Sequence, residues 1–186
     1  MKDKSFIIRE SRMDETGRIM DIHRAAFDVA ESETIARLVS EMLADPTAMP
    51  LSSLVAEGDG ALLGHVLFTA VHVVEGGKAV PGQILAPLAV RPGVQGQGVG
   101  GALVSEGLQR LSANGVGLVF VLGHPSYYPR FGFESAGPHG FDSPHAIPGE
   151  AAEAWMVLEL QPGHIGRIRG RVRCCEALNH PRHWRE

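Results

Sequence analysis

The apolar segment Leu88-Ala89-Val90 runs through Arg91-Pro92-Gly93-Val94 into Gln95-Gly96-Gln97-Gly98-Val99-Gly100-Gly101, and from there straight into a helix-period pattern. This strand-to-helix passage constrains the fold more than any other part of the chain. Its glycines permit positive φ and close backbone approach. The first amides of the helix that follows have no partner within the helix and sit at its positive end. Such a turn forms a cradle for a phosphate or pyrophosphate group.

At 186 residues the chain can bury a core as one domain. The formal net charge of -4 argues against general nucleic-acid binding, which needs a basic surface. Cys174 and Cys175 are the only cysteines and are adjacent, which suits neither a disulfide framework nor a C-x-x-C metal pair. A reducing cytoplasmic setting is expected. Near Lys2 and Lys4 the apolar run Phe6-Ile7-Ile8 is too short for a signal peptide. Gly64, His65 and His72 interrupt the longer run from Ala61 to Val74, so no membrane span is expected.

The patterning predicts a strand over Ser5 to Arg9, then a helix capped by Asp14 with Ile19, Ile22, Ala26 and Phe27 on its apolar face. A second helix capped by Ser32 carries Ile35, Leu38, Val39 and Met42 on one stripe and stops at Asp45-Pro46. Strands over Leu51–Glu57, Ala61–Val74 and Ala79–Val90 are joined by turns at Gly58-Asp59-Gly60 and Gly76-Gly77. A helix over Gly98–Ser112 ends at Asn114-Gly115, and Val116–Leu122 reads as a buried strand. Pro125–Arg130 predicts a short helix closed by Gly132. Phe133–Ile147 predicts a loop, and Ala154–Leu160 a final core strand. The order predicts a mixed α/β (α+β) layer fold rather than strict βαβ alternation.

Gly96-Gln97-Gly98-Val99-Gly100-Gly101 satisfies the dinucleotide pattern G-x-G-x-x-G. That reading requires a carboxylate about 20 positions on, at the end of the next strand. The sequence there is Val121-Leu122-Gly123-His124. A Walker A loop is excluded because no Gly-Lys-Ser/Thr follows. The same residues, read from Gln95 to Gly100, fit Q/R-x-x-G-x-G/A after Leu88-Ala89-Val90. A second block, Tyr127-Tyr128-Pro129-Arg130-Phe131-Gly132-Phe133, follows the next strand. On these two blocks the chain resembles the GNAT superfamily of acetyl-CoA-dependent N-acetyltransferases. Val121 to Tyr128 is similar to a bacterial branch of predicted N-acetyltransferases.

The resemblance implies a mostly antiparallel central sheet, splayed between its fourth and fifth strands, with helices on both faces. It implies one domain over residues 1–186, with a core about 5–161 and a C-terminal extension 162–186. Acetyl-CoA is the implied co-substrate. Its pantetheine arm would lie along Leu88, Ala89 and Val90, and its diphosphate on Gln95, Gly96, Gln97, Gly98, Val99, Gly100 and Gly101. Tyr128 and Phe131 would border it. Pro87 marks either a bulge in the fourth strand or a simple strand end.

An amine attacking a thioester must lose a proton, the oxyanion needs a donor and the thiolate needs an acid. The resemblance gives the donor to the Leu88 amide and the acid to Tyr128, leaving Tyr127 as a packing aromatic. The thiol and phenol pKa values, near 8.5 and 10, favour partial transfer. Candidate bases are Glu57, His65, His72 and His124. His124 departs from the family's Asp or Asn. No metal cluster is expected, since His180 and His183 have no third partner. The predicted activity is direct transfer of an acetyl group to a primary amine, of a small molecule or a peptide, in a ternary complex. A homodimer is left open. The rivals are a non-catalytic acyl-CoA sensor and an NAD-type oxidoreductase. Asp28, Glu31 and Glu33 border the implied acceptor side. Arg167, Arg169, Arg171 and Arg173 alternate along the tail, expected as a solvated edge-strand face, or else as a contact to an acidic substrate or a CoA phosphate.

Overall fold

A computed structural model of the chain describes residues 5–185. Lys2 and Lys4, and with them part of the reading of the N-terminus, lie outside the described residues. The elements are β1 (Ile7–Glu10), α1 (Thr16–Ala26), α2 (Val29–Ala44), β2 (Ser52–Gly58), β3 (Ala61–Glu75) and β4 (Lys78–Val90). They continue with α3 (Val99–Ala113), β5 (Leu118–Leu122), β6 (Glu134–Ser135), β7 (Phe141–Asp142), β8 (Trp155–Glu159) and β9 (Gly170–Arg173).

The strands form one sheet in the order β1-β2-β3-β4-β5-β8-β6, with β9 against β3 and β7. Neighbours are antiparallel except for β4–β5 and β7–β9, which are parallel. Successive side chains go to opposite faces. Leu54, Ala56, Phe68, Val119 and Val121 pack with α3, while Val55 packs with α1 on the other face. Leu67, Leu118 and Phe120 join α2 residues Leu38 and Met42 on that second face. Both faces are covered, which explains why the strands read as continuous apolar runs rather than alternating ones.

Several sequence expectations are corrected. α1 is preceded by a single 3-10 turn, Met13–Glu15, and Asp14 does not cap it. Glu15 is instead drawn inward to Arg9, with contacts of 2.6 and 2.9 Å, and accepts from the Arg12 amide at 2.8 Å. α2 begins one turn before Ser32, with Asp28 at its N-cap. The supposed short helix over Pro125–Arg130 is a 3-10 turn, Tyr128–Phe131, closed by Gly132. The stretch expected as a loop carries β6 and β7.

The core does not stop at residue 161. Val172, Cys175, Leu178 and Trp184 are buried in the same cluster as Leu67 and Phe120. Trp184 packs edge-to-face on Trp155, 5.7 Å between centroids, and donates to the Leu178 carbonyl at 3.0 Å. The tail is tied to the C-terminal end of α2, because Asp45 accepts from the Ala177 amide at 2.9 Å. β9, which falls within the alternating arginines expected as an edge strand, fills the flank of β3 that β2 leaves open. It is paired on both sides, so it is not an edge strand, although Arg171 and Arg173 are exposed as expected.

Candidate functional site

The site begins where β4 and β5 part. They pair only from Gln83 to Leu85 against Val119 to Val121. Beyond that, β4 makes a register shift against β3. Leu85 faces Phe68 and Leu88 faces Val66, so β4 carries an extra residue at Ala86-Pro87. The bulge alternative for Pro87 is the one observed. After it, the Arg91 amide donates to Leu63 of β3 at 2.8 Å. Ladder alternation therefore turns the N–H groups of Leu88 and Val90 away from β3, toward the side where β5 has ended.

From Val90 the chain passes through the turn Pro92–Val94 to Gly98, whose φ of 86° is left-handed backbone that favours glycine, and enters α3. Among the described residues, the amides of Gly96, Gln97, Gly98, Val99, Gly100 and Gly101 donate to no protein acceptor. The loop is braced by its own glutamines. Gln95 donates to the Val90 carbonyl at 3.0 Å and Gln97 to the Gly93 carbonyl at 3.3 Å. The glutamines thus hold the loop's shape while leaving the amides open.

These parts border one cavity of about 1540 Å³. Of the residues expected to hold a cofactor, Leu88, Ala89, Val90, Gln95, Gly96, Gly98, Gly100, Gly101 and Tyr128 line it. Gln97, Val99 and Phe131 do not. The Val99 side chain is packed into the core against Leu103, and Phe131 lies 5.5 Å from the Tyr127 ring.

The two tyrosines reverse the expected roles in packing. Tyr128 is the buried one, 7% exposed, while Tyr127 is half-buried. Tyr128 reaches its place because residue 123 is glycine. A Cβ there would meet the Tyr128 ring, its Cδ2 at 3.0 Å. Arg130 lies over the Tyr127 ring at 4.1 Å, a cation–π contact. Burial raises the Tyr127 phenol pKa, and Arg130 opposes that shift.

Only one of the four candidate bases reaches the cavity. Glu57 is held by Arg9 at 2.6 Å, and His72 is exposed on β3 opposite Pro81. His65 is wholly buried. It shares hydrogen bonds with His23 at 2.8 Å and Ser53 at 2.9 Å. His124 lines the cavity at the end of β5. Neither Cys174 nor Cys175 lines the cavity, and burial pushes the Cys174 pKa up to about 12 and raises that of Cys175. None of Arg167, Arg169, Arg171 and Arg173 lines the cavity, whereas Arg130, Arg182, His183, Trp184 and Arg185 do. The sequence reading missed these. The one available signal was a tryptophan in a polar tail, which asks for a buried place. Burial, with Arg182 and His180 nearby, lowers the His183 pKa, and Glu41 opposes that shift.

Among the described residues, no group of three or more His, Cys, Asp or Glu could hold a metal. No helix among them is long and apolar enough to cross a membrane.

Comparison with known proteins supplies the remaining findings. The family model described as an acetyltransferase (GNAT) domain matches residues 7–136. The chain is 41% identical over 159 residues to the uncharacterized N-acetyltransferase YjhQ of Escherichia coli K12, covering 81% of this chain and 87% of that protein. Its structure resembles the crystal structure of the GNAT family N-acetyltransferase YhbS from Escherichia coli in complex with CoA. The TM-score is 0.85 at 32% identity, covering 97% of this chain and 95% of that one. It also resembles a GNAT family acetyltransferase from Brucella melitensis in complex with acetyl-CoA. There the TM-score is 0.74 at 29% identity, covering 94% of this chain and 99% of the other.

Proposed function

The chain belongs to the GNAT acetyltransferases, and from that premise we propose that it moves an acetyl group from acetyl-CoA to a primary amine by direct attack in a ternary complex. The carrying observation is the row of unbonded amides from Gly96 to Gly101 beside the gap between β4 and β5. A diphosphate satisfies those donors, and the helix dipole of α3 favours its charge. The pantetheine arm then pairs with Leu88 and Val90 as an added strand would.

The acceptor nitrogen attacks the thioester carbonyl carbon, forming the C–N bond. The Leu88 amide takes the oxyanion, a donor worth about 2.7–4 kcal/mol in the transition state. Collapse breaks the C–S bond, and Tyr128 gives its phenolic proton toward the leaving thiolate. The proton lost by the amine passes to His124, the one candidate base on the cavity wall. Water then restores both groups. The whole chain works as one domain in this reading, and its adjacent free thiols suit the cytoplasm.

The test is a screen of primary amines with detection of released CoA thiol, on the parent and on Tyr128→Phe. We expect turnover with the parent and a loss of about 10²–10⁴-fold in kcat with the variant. The melting shift induced by acetyl-CoA should be retained, about 2.7 kcal/mol of stabilisation at 100 times Kd. Acetyl-CoA binding without acetylation of any amine would favour the sensor. Stabilisation by NAD alone would favour the oxidoreductase.

A further inference from the structure

The cavity is chemically uneven. At its β4 end the donors are main-chain amides. Elsewhere on its wall the groups are charged side chains: Asp28 and Glu31 from the start of α2, and Arg182 and Arg185 from the tail, which is tied to the C-terminal end of α2. Among the described residues none of these four makes an ion pair. The arginines stand on a fixed support. Trp184 between them is buried, and the Arg182 amide donates to His180 Nδ1 at 3.1 Å. Arg182 Nε–H donates to His183 Nε2 at 3.1 Å, which orients its guanidinium.

An unpaired cation is tolerated while water reaches it. Arg182 and Arg185 are both exposed and both line the cavity, so their guanidinium groups can meet a counter-charge on a bound molecule. Guanidinium groups match carboxylate and phosphate oxygens through paired N–H donors. The acidic groups on α2 meanwhile attract the ammonium form of an incoming amine. We propose that the acceptor is an amine carrying a second, anionic group, a carboxylate or a phosphate, which Arg182 and Arg185 bind. This assignment rests on the acetyltransferase reading and names the acceptor class for the same cavity. Arg182 and Arg185 ride on the tail beside α2, where the His183 ring feels the charge of Glu41. Arg130, against Tyr127, is a separate cation near the glycine loop.

The experiment compares ω-amino acids and ω-aminoalkyl phosphates with amino alcohols and diamines of the same chain lengths, using thiol release. Anionic acceptors should exceed the alcohols by at least tenfold in kcat/KM, with the diamines lowest. The carboxylate and phosphate arms show which anion fits better. In the double variant Arg182→Ala/Arg185→Ala that preference should collapse through KM, while Arg182→Lys/Arg185→Lys should keep part of it. The acetyl-CoA melting shift should persist in both. Turnover with no preference for anionic acceptors would overturn the assignment and leave the acetyltransferase reading standing. So would a double variant that weakens binding of CoA but not of dephospho-CoA, because the arginines would then belong to the coenzyme's phosphate. Acetyl-CoA binding with no amine acetylated would overturn both.

Discussion

Lowering the pH from 7 to 5 should destabilise this protein through two residues, His23 and His65. Both rings are fully buried, and each is hydrogen-bonded to the other. Among the described residues no carboxylate bonds either ring, and His23 Nδ1 has no partner at all. Desolvation lowers the His23 pKa from 6.5 to about 3 and pushes His65 well below its ordinary value. Both therefore stay neutral in the fold at pH 5, while the unfolded chain takes up a proton at each below pH 6.5. Unfolding thus gains proton binding, and stability falls as pH falls. The loss at pH 5 is about 2 kcal/mol for the His23 ring, and His65 adds to it in the same direction. For a chain of this size the His23 share alone is a fall in Tm of roughly 4–8 °C. His183, half-buried against α2, adds a smaller share in the same direction. The lowered carboxylates act only below about pH 4.5, so the histidines control this window. Urea unfolding at steps between pH 7 and 5 measures it. His23→Gln keeps an amide to bond His65 but cannot titrate, and should lose about 2 kcal/mol less than the parent across the same range. Parallel curves for parent and variant would refute the reasoning, since they would mean that the His23 ring takes up its proton as readily in the fold as out of it.

Glu15 governs a lower window. The bond from Arg9 holds its pKa down to about 2, so its contribution of about 3 kcal/mol is complete above pH 4.5 and drains as pH falls toward 2. Urea midpoints for Glu15→Gln should show a flatter slope over that range, and an unchanged slope would contradict the ion pair. Gly98→Ala places a Cβ on left-handed backbone and should cost about 1–2 kcal/mol. Isothermal titration should also show weaker CoA binding, and an unaltered Kd would argue against the loop as the diphosphate cradle. Trp184→Ala should cost about 3–5 kcal/mol by chemical denaturation. A loss below about 1 kcal/mol would put the tail outside the core.

Most of the fold's helices and strands could be read from the sequence because their signals are short-range. The stripe of Leu38, Val39 and Met42 sets which side of α2 faces inward, and all three are buried. Gly58-Asp59-Gly60 and Gly76-Gly77 mark the turns of the meander, and both appear where expected. The glycine loop was legible for the same reason: the directions of its main-chain amides follow from adjacent residues. Other features joined residues too distant for any local pattern. His23 and His65 are 42 positions apart, and nothing around either announces the other. The actual N-terminus of α1 moved because Arg9, on β1, claims Glu15.

By itself, then, the sequence determined a glycine-rich turn between a strand and a helix, a sheet buried on both faces, and the GNAT family to which both belong. Only the tertiary structure decided that residues beyond 161 complete the core, that Tyr128 is the more buried tyrosine, and that Arg182 and Arg185 reach the cavity. The tail is placed by contacts to Thr47 and Asp45, 129 and 132 positions away. Periodicity and turn chemistry act over a few residues. A segment with no strong pattern of its own takes its place from the surfaces that the rest of the chain leaves uncovered.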